Sequence, residues 1–560
     1  MTQSNKKHSE VEQAKDTSGY LRGQLNESLD TQLTAALVNE SDTHLIKFHG
    51  IYQQYDRDSA KRRELKKLEP DYTFMLRLRI PGGGINAKQW LLISSLAQQY
   101  ATGVIKVTTR QTVQLHGIIK HHLKPTVERF YTQGNLDSIA ACGDVNRNVM
   151  VSNHPFSSAA ERSVYQYAQK ISEHLLPKTR AYHEIWLNEE KQQIPVGAAP
   201  ETIEPLYLKH YLPRKFKIAI ATPPNNDVDV FANDIGLIAI IRQQTLIGFN
   251  VAVGGGLSAI HGNEKTYPRL GSVIGYADKN SILDVCWQIV AIQRDWGDRS
   301  DRKQARLKYT VDRLGLAVFV QELEKRLGFK LAAAKDYHFD RRTEKFGWQQ
   351  DYKGLWYYTI FVENGRVCDG EQVKLLSALN QIAQLNKTNF RFSANQNVIL
   401  ADIKSQDKTA IHELLKKNQV IEYTEHAASP LRKHAMACVA LNTCPLALAE
   451  GQRYLPKLIT LIEKLLIKHN LQDRHIVTRM TGCPNGCGRP YLAEIGLVGV
   501  SYGKYNLHLG GDALGERLNV KYRESLDEAQ ILNVLDDLFA RYAASDKTQT
   551  FGDFAHQSIV

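Results

Sequence analysis

The chain repeats itself, and this internal repeat is the feature that most limits how it can fold. The segment GFNVAVGGGLS at 248–258 resembles KYNLHLGGDALG at 504–515, and each follows a GLIAI or GLVGV run. Upstream of each, TPPNND at 222–227 aligns with GCPNGC at 482–487. The repeat is far longer than the units of solenoid proteins, so it predicts two related halves with a site between them.

A second repeated unit has the pattern strand, helix, strand. The first copy reads FMLRLRIPGGG, NAKQWLLISSLAQQYA and VIKVTTRQTVQLHG, and the second reads WYYTIFVENGRV, EQVKLLSALNQIAQL and NFRFSANQNVIL. Alternation in the last strand of the first copy puts cations and hydrogen-bond donors on one face: Lys106, Thr108, Arg110, Gln114 and His116. The first copy has Arg77 and Arg79 where the second has Thr359 and Phe361. We therefore expect a shared fold with a binding role in the first copy only.

Four cysteines in the last quarter form two pairs, Cys438 with Cys444 and Cys483 with Cys487. Four thiolates at short fixed spacings predict one metal centre. Zinc sites usually pair cysteines as C-x2-C or C-x4-C, which neither pair matches, whereas wider loops can wrap a larger cubane. We expect a [4Fe–4S] cluster, with zinc or unliganded cysteines as the alternatives. The remaining cysteines are expected in the core: Cys142, Cys286 and Cys368.

Composition is that of an ordinary soluble protein with several domains, at 560 residues and 43% hydrophobic content. The polar N-terminus lacks a secretory signal, no apolar run approaches a membrane span, and reduced thiols suit the cytoplasm, where we place the chain. A net charge of +12 is compatible with nucleic acid, an acidic protein or small anions. Residues 1–71 are interpreted as an extended arm with one short basic helix, whose charges form a solvated face rather than a nucleic-acid site.

The run Gly254-x-Gly256-x-x-Ala259 follows a strand in the way a dinucleotide-binding turn does. The second copy lacks this spacing, and no helical pattern opens at once, so we interpret these residues as tight-turn glycines. Electrons for a redox reaction would then come from another protein.

Taken together, these segments resemble the siroheme- and [4Fe–4S]-containing sulfite and nitrite reductases. The similarity runs over nearly the whole chain, from FHGIYQQYDRD through LRLRIPGG, TRQTVQLHG, NRNV, YLPRKFK and QRDWGDR to the two cysteine motifs and the final FGDF. Within this family, the first segment and YLPRKFK favour the hemoprotein (beta) subunits of bacterial NADPH-dependent assimilatory sulfite reductases.

The resemblance implies an α+β, pseudo-two-fold duplicated fold with three mixed α/β domains around a central cofactor site. Residues 1–71 would be a partner-binding arm, 72–139 and 341–423 a split ferredoxin-like pair, 140–340 a siroheme and substrate domain, and 424–560 an iron–sulfur and siroheme domain.

It also implies one siroheme and one [4Fe–4S] cluster, with Cys487 shared between the cluster and the siroheme iron. The implied catalytic cations are Arg77, Arg147, Lys215 and Lys217. The residues implied to hold siroheme are Arg110, Gln114, His116, Arg214 and Asn485, with Arg302 and Arg306 as further candidates. Lys106 stands where the family has an arginine. A lysine keeps the positive charge but lacks the forked pair of N–H donors with which a guanidinium binds a carboxylate. Gly486 and Gly488 would let the backbone approach the macrocycle.

The implied reaction is the reduction of sulfite to sulfide. Electrons would come from NADPH through a flavoprotein (alpha) subunit carrying FAD and FMN, in an alpha8-beta4 assembly, with neither nucleic acid nor membrane as a partner. A siroheme nitrite reductase that makes ammonia is the nearer alternative. An electron-transfer cluster protein or a zinc-stabilised nucleic-acid binder is the more distant one.

Overall fold

The computed structural model describes residues 9–187, 204–546 and 548–559. The strands, in chain order, are β1 (Ile51–Tyr55), β2 (Tyr72–Arg77), β3 (Gly84–Asn86), β4 (Ile105–Val107), β5 (Val113–Ile118), β6 (Met150–Val151), β7 (Ile218–Ala221), β8 (Ile235–Arg242), β9 (Thr245–Val253), β10 (Ser272–Asp278), β11 (Gly347–Gln350), β12 (Trp356–Ile360), β13 (Arg366–Val367), β14 (Asn389–Phe392), β15 (Val398–Ile403), β16 (Ala435–Ala437), β17 (Thr478–Thr481), β18 (Ile495–Ser501), β19 (Lys504–Leu509) and β20 (Val520–Leu526). The helices are α1 (Glu10–Asp16), α2 (Leu25–Asp30), α3 (Glu40–Leu45), α4 (Arg57–Leu65), α5 (Ala87–Tyr100), α6 (Leu123–Gly134), α7 (Ala159–His174), α8 (Ala181–Leu187), α9 (Ile282–Trp296), α10 (Leu307–Leu314), α11 (Leu316–Leu327), α12 (Leu375–Leu385), α13 (Ser405–Lys417), α14 (Pro430–Lys433), α15 (Leu455–Lys468), α16 (Glu528–Ala543) and α17 (Phe551–Ile559).

The predicted duplication is confirmed by the sheets, which come in two matched pairs within the described residues. The first pair has the orders β1-β2-β5-β4-β13 and β11-β12-β15-β14-β3. The second pair has the orders β10-β9-β8-β7-β6 and β16-β17-β18-β19-β20. In each sheet of the second pair, parallel pairings change to antiparallel pairings at the same strand, β8 or β18. The α+β class and the pseudo-two-fold arrangement are therefore as predicted.

The two halves exchange a strand. Strand β13 of the second copy pairs with β4, and β3 of the first copy pairs with β14. A glycine precedes each exchanged strand: a Cβ atom on Gly83 would lie 2.4 Å from the Phe392 carbonyl oxygen, and one on Gly365 would lie 2.2 Å from that of Val107. Both glycines have positive φ, so a side chain is excluded by conformation and by space. Each half thus completes the sheet of the other.

The single strand predicted over VIKVTTRQTVQLHG is wrong, because the chain turns back on itself there and forms β4 and β5 as an antiparallel hairpin. Gln111 reverses the backbone with φ of 53°, and its carboxamide bonds the backbone of Val151 in both directions. Gln396, at the equivalent place in the second copy, has φ of 71°. Tertiary hydrogen bonds hold a glutamine in a conformation that usually signals glycine or asparagine.

Residues 9–71 also differ from the expected extended arm, while residues 1–8 lie outside the described residues. Strand β1 pairs along its length with β2, with Ile51 opposite Leu76, and becomes the edge of the first sheet. Leu25, Leu45 and Phe48 are buried in the same core. The apolar residues of this segment are spread over short elements, so no long periodic pattern announces them.

The pseudo-two-fold relation brings equivalent residues into contact. Asp229 and Arg489 each have left-handed backbone and precede a short 3-10 turn, and Arg489 Nε lies 3.1 Å from Asp229 Oδ2. Arg479 and Arg342 also approach this carboxylate, at 2.6 and 3.4 Å. Burial alone would raise the pKa of Asp229, but these three guanidiniums lower it to about 2. One buried anion therefore ties the two copies together.

Three smaller expectations also concern the fold. The glycine run after β9 forms a turn in which Gly254 has φ of 79°, and the next helix, α9, begins only at Ile282. No helix in the described part of the chain combines the length and apolar character needed to cross a bilayer. Of the three lone cysteines, Cys142 and Cys286 are buried as predicted, whereas Cys368 is only half-buried.

Candidate active site

The cysteine loops leave the same edge of one sheet. Cys438 directly follows β16 and Cys483 closely follows β17, and these two strands are parallel neighbours. The backbone N–H of Cys438 donates to the Met480 carbonyl oxygen at 3.3 Å. The Cys438 sulfur in turn accepts from the N–H of Gly482 at 3.3 Å. Because the carboxyl ends of parallel strands meet at one edge, two pairs of cysteines far apart in sequence converge there.

The four thiols lie close enough to affect one another's ionisation. Burial, followed by the charge of Cys487, raises the pKa of Cys438 to about 11. Burial likewise raises the pKa of Cys444 to about 12, with contributions from Cys438 and Cys487. In the described part of the chain, no three His, Cys, Asp or Glu side chains are spaced to hold one metal ion. The four thiols instead line a cavity.

This cavity has a volume of about 440 Å³ and lies between the cysteine loops and one face of the first sheet. It is lined by every residue predicted as a ligand, cofactor contact or catalytic cation: Arg77, Arg110, Gln114, His116, Arg147, Arg214, Lys215, Lys217, Cys438, Cys444, Cys483, Asn485 and Cys487. Arg302 lines it as well, whereas Arg306 lies in an adjoining pocket of about 30 Å³ that is shared with Lys217 and Cys487.

The sheet wall of the cavity presents a row of polar side chains. Register places Lys106 beside Gln114 and Gln114 beside Arg77, across three neighbouring strands. With its carboxamide oxygen facing Arg77, Gln114 accepts from Arg77 Nε at 3.0 Å. His116 bonds Gln54 through Nδ1 at 3.0 Å, and its buried Nε2 has no partner in the described residues. The predicted face of cations therefore exists. It is formed by β4 and β5 together with β2, rather than by one strand.

A second wall comes from an extended segment before β7. Lys215 and Lys217 flank buried Phe216, so both ammoniums lie on the side opposite the core. The Phe216 carbonyl oxygen accepts from the backbone N–H of Arg147 at 3.0 Å. This hydrogen bond holds a third cation beside the two lysines. The ammonium groups of Lys215 and Lys217 make no hydrogen bond or ion pair within the described residues. Burial, followed by Arg214, lowers the pKa of Lys215 to about 7, and burial followed by Lys215 lowers that of Lys217.

Positive charge dominates the cavity. Its lysine and arginine side chains are Lys47, Arg77, Lys106, Arg110, Arg147, Arg214, Lys215, Lys217 and Arg302. Among the described residues, Asp144 supplies the only carboxylate of the lining, and it pairs with Arg302 at 2.7 Å. The buried Arg110 Nε has no hydrogen-bond partner among the residues that the structure describes. Unpaired cations and donors around a cavity of this size, facing four thiols, fit a cofactor that carries many carboxylates and a cluster held by sulfur.

The departure at Lys106 is visible in this wall. Lys106 is 4% exposed and donates to the carbonyl oxygen of Asn364. Burial lowers the pKa of Lys106 to about 7, despite the opposing effect of Cys438. The Lys106 ammonium therefore donates to the backbone of the second copy and also faces the cavity. An arginine at this position would present a forked pair of N–H donors to the cavity.

The approach of Gly486 and Gly488 to the macrocycle stays a prediction, and contacts within the protein give a separate reason for these glycines. A Cβ atom on Gly488 would lie 2.4 Å from the Met480 carbonyl oxygen. Gly486 has φ of 65°, and its Cβ atom would lie 3.0 Å from the carbonyl oxygen of Leu257. These glycines let the cysteine loop pass close to the protein's own backbone.

Sequence reasoning missed the part of the cavity built by residues 9–71. Lys47, Phe48, Tyr52 and Gln54 line it, and Arg147 Nη2 donates to the Tyr52 hydroxyl at 3.4 Å. The available signal was alternation in FHGIYQQYDRD, which places Tyr52 and Gln54 on one face of a strand. Pairing with β2 then puts Tyr52 opposite Met75, which is also in the lining.

Comparisons with known proteins agree with the duplicated architecture. The family model described as nitrite/sulfite reductase ferredoxin-like half domain matches residues 66–131 and 349–418, one segment in each copy. The model described as nitrite and sulphite reductase 4Fe-4S domain matches residues 166–331. That match lies in the copy that carries Pro223 and Asp227 at the positions of Cys483 and Cys487.

Relatives and a solved structure resemble the chain over nearly its full length. Proteins named sulfite reductase [NADPH] hemoprotein beta-component include one from Leptospira biflexa, 54% identical over 99% of this chain and 98% of its own. Another, from Bacillus pumilus, is 49% identical over 98% of this chain and 94% of its own. The structure of the Mycobacterium tuberculosis NirA protein superposes with a TM-score of 0.76 at 23% identity, covering 96% of each chain, and supports the fold. The chain belongs to the nitrite and sulfite reductase family.

Proposed function

We propose that the chain reduces sulfite to sulfide in the cytoplasm, at a siroheme coupled to a [4Fe–4S] cluster through Cys487. The electrons are supplied from NADPH by a separate flavoprotein subunit. The observation that carries the proposal is the single cavity that places four thiols on one wall and unpaired cations on the facing walls. The relatives named as sulfite reductase hemoprotein components support the choice of substrate.

Cys438, Cys444, Cys483 and Cys487 are the proposed cluster ligands. When bound, siroheme and the cluster would supply the electrons for the reduction. Arg110, Arg214, Gln114, His116 and Asn485 are proposed to hold siroheme. Arg110 is fixed by Asn233 Oδ1 at 2.7 Å and by the Asn148 carbonyl oxygen, while its Nε remains available to a carboxylate. The protein's part is to orient the cofactor against the substrate cations.

Sulfite is a small dianion, and the proposed catalytic cations Arg77, Arg147, Lys215 and Lys217 meet it with fixed positive charge. Arg147 is anchored by the Gly143 carbonyl oxygen at 3.1 Å, and Arg77 by the Cys142 sulfur at 3.0 Å. Charges that are already oriented in a water-poor site need little reorganisation when negative charge develops on a leaving oxygen. The lysines are not tied down in this way.

The lysines suit proton delivery. Reduction of sulfite to sulfide takes six electrons and seven protons, so donors must be recharged repeatedly. A general acid works best when its pKa is near the working pH, and burial lowers the pKa of Lys215 to about 7. Burial, followed by Lys215, lowers the pKa of Lys217, so protonation of one lysine opposes protonation of the other. We propose that Lys215 and Lys217 pass protons to the substrate oxygens.

The flavoprotein partner is proposed to dock on the N-terminal segment. Leu33, Leu65 and Leu68 are 95%, 78% and 51% exposed. The segments that carry them are joined by hydrogen bonds, because the Thr34 hydroxyl donates to the Glu69 carboxylate at 2.6 Å and Arg63 Nε donates to the Glu69 carbonyl oxygen at 2.7 Å. Exposed leucines beside the basic helix α4 suit the docking of a partner protein whose contact surface is acidic at its rim. The alpha8-beta4 assembly and the domain boundaries remain part of this proposal.

The test is the absorbance spectrum of anaerobically purified protein, followed by reduced-viologen assays with sulfite and nitrite in parallel. We expect siroheme bands, sulfide as the product and a higher kcat/KM for sulfite. Efficient ammonia formation with poor sulfite turnover would identify a nitrite reductase instead. A spectrum without tetrapyrrole bands would overturn the catalytic assignment.

A further inference from the structure

We infer that Arg57 is a positioning residue for the iron–sulfur cluster, holding the loop that carries Cys444 through its backbone carbonyls. The inference rests on the proposed cluster and goes beyond it, because it makes the N-terminal segment part of the cluster's support. Arg57 is the first residue of α4, on the segment proposed to meet the flavoprotein.

The contacts of Arg57 reach across most of the sequence to a single loop. Its Nη1 donates to the carbonyl oxygen of Ala447 at 2.5 Å and to that of Cys444 at 3.2 Å. Its backbone N–H donates to the Asn442 carbonyl oxygen at 3.2 Å. The preceding residue, Asp56, accepts from the Asn442 side chain at 2.6 Å. Four hydrogen bonds therefore join the start of α4 to residues 442–447.

The same contacts account for how α4 stays on the body of the protein. Ser59 is the one buried residue of this helix, so apolar packing holds little of it. Asp56 caps the helix by accepting from the N–H of Asp58 at 3.0 Å, with the oxygen that also accepts from Asn442. The cap, the guanidinium and the cysteine loop are thus one connected unit.

The loop itself needs such support at its tip. Leu446, two residues after Cys444, is 62% exposed and packs against little. The Cys444 and Ala447 carbonyls bracket that tip, and one guanidinium group bridges them. A hydrogen bond from a charged donor is stronger than one between neutral groups, so the bridge restrains the peptide that sets the direction of the Cys444 thiol. Arg57 also places a positive charge beside the cluster.

The experiment compares the loaded full-length protein with Arg57→Met, Arg57→Lys and two matched controls. Arg62→Met removes a charge from the same helix at an exposed position without a partner in the described residues. Arg453→Met removes an ion pair to Asp58 of α4, at 2.6 Å, but leaves the loop carbonyls alone. The measurements are the anaerobic rate of iron release to a chelator, the reduction potential of the cluster and the melting temperature.

We expect Arg57→Met to release iron about tenfold faster, the low end of the effect of losing hydrogen bonds from a charged group. Its cluster potential should become more negative, because a nearby cation is lost. Arg57→Lys should retain the potential and recover part of the release rate, and both controls should match the unmodified protein.

Unchanged release and potential in Arg57→Met would overturn the inference. Equal acceleration in Arg453→Met would also overturn it, by showing general detachment of α4. Absence of a cluster from the unmodified protein would instead refute the proposed function.

Discussion

The cavity cations should destabilise the protein when no cofactor is bound, and Lys215 gives the sharpest test. Its ammonium has no partner in the described residues, and burial, then Arg214, lowers its pKa from 10.5 to about 7. Such a shift corresponds to at most about 5 kcal/mol of unfavourable free energy. Solvent in the open cavity screens this penalty, so we take about 2 kcal/mol. Lys215→Met should therefore stabilise the cofactor-free protein by about 2 kcal/mol at pH 7.

The sign of the pH dependence follows from the lowered pKa. Above pH 10.5 Lys215 is neutral in both states, so the substitution should have no effect there. As the pH falls from 10.5 to about 7, the unfolded chain takes up a proton that the folded chain resists, and the stabilisation by Met grows to its full value. Below about pH 7 the difference stays constant.

The assay is thermal unfolding of protein made in a host without siroheme. For 560 residues unfolding together, about 2 kcal/mol corresponds to a rise of about 2 °C in Tm. Lys209→Met, at an exposed position, is the matched control and should leave Tm unchanged. A Lys215→Met protein that melts at or below the unmodified protein at pH 7, or shows the same gain at pH 10.5, would refute the reasoning. The loaded variant should lose most sulfite reduction.

Three further outcomes are expected. Cys487→Ser should abolish sulfite reduction and change the siroheme absorbance, whereas Cys286→Ala, at a buried lone thiol, should change neither. Lys106→Arg should raise, and Lys106→Met lower, the ratio of siroheme to protein absorbance after purification, because only a guanidinium offers a fork to a carboxylate. Asp229→Asn should destabilise the protein by about 3 kcal/mol in denaturant titration at neutral pH, because three buried guanidiniums lose their anion. This difference in unfolding free energy should shrink as the pH falls from 3.8 towards about 2. The folded-state pKa of Asp229 is depressed, so the carboxylate stabilises the fold fully only above pH 3.8 and loses this effect as it becomes protonated.

The sequence predicts the architecture well where a pattern occurs twice. Residues 248–258 and 504–515 lie in β9 and β19 and the turns that follow them, in matching sheets. The exchanged strands β3 and β13 were not predictable, because elements of three and two residues carry no periodicity. The turn at Gln111 was not predictable either, since bonds to Val151 from another part of the chain hold its left-handed backbone.

The site was predictable because strand alternation fixes which side chains share a face. Lys106 and Gln114 stay on one face despite the unexpected turn, because the hairpin register pairs them. Tyr52 and Lys47 were missed for the opposite reason: they reach the cavity only when β1 pairs with β2, a contact that the charged character of residues 1–71 conceals. Charge patterns describe what a segment exposes, and they say little about the few apolar residues that dock it.

The cation of the second copy that corresponds to Lys106 has partners within the protein. Arg391, the counterpart of Lys106, has its guanidinium 4.5 Å from the ring centre of Phe156 and 5.0 Å from that of Tyr357. Its Nη2 also lies 3.5 Å from the Asp402 carboxylate. Aromatic rings and an anion thus satisfy that cation from within the protein, although it also borders a pocket of about 330 Å³. The backbone of both copies is the same, so whether a face binds a cofactor depends on the side chains that fill it. In the described residues, the cation-lined cavity lies against the sheet of the first copy, and the cysteine loops of the second copy supply its opposing wall.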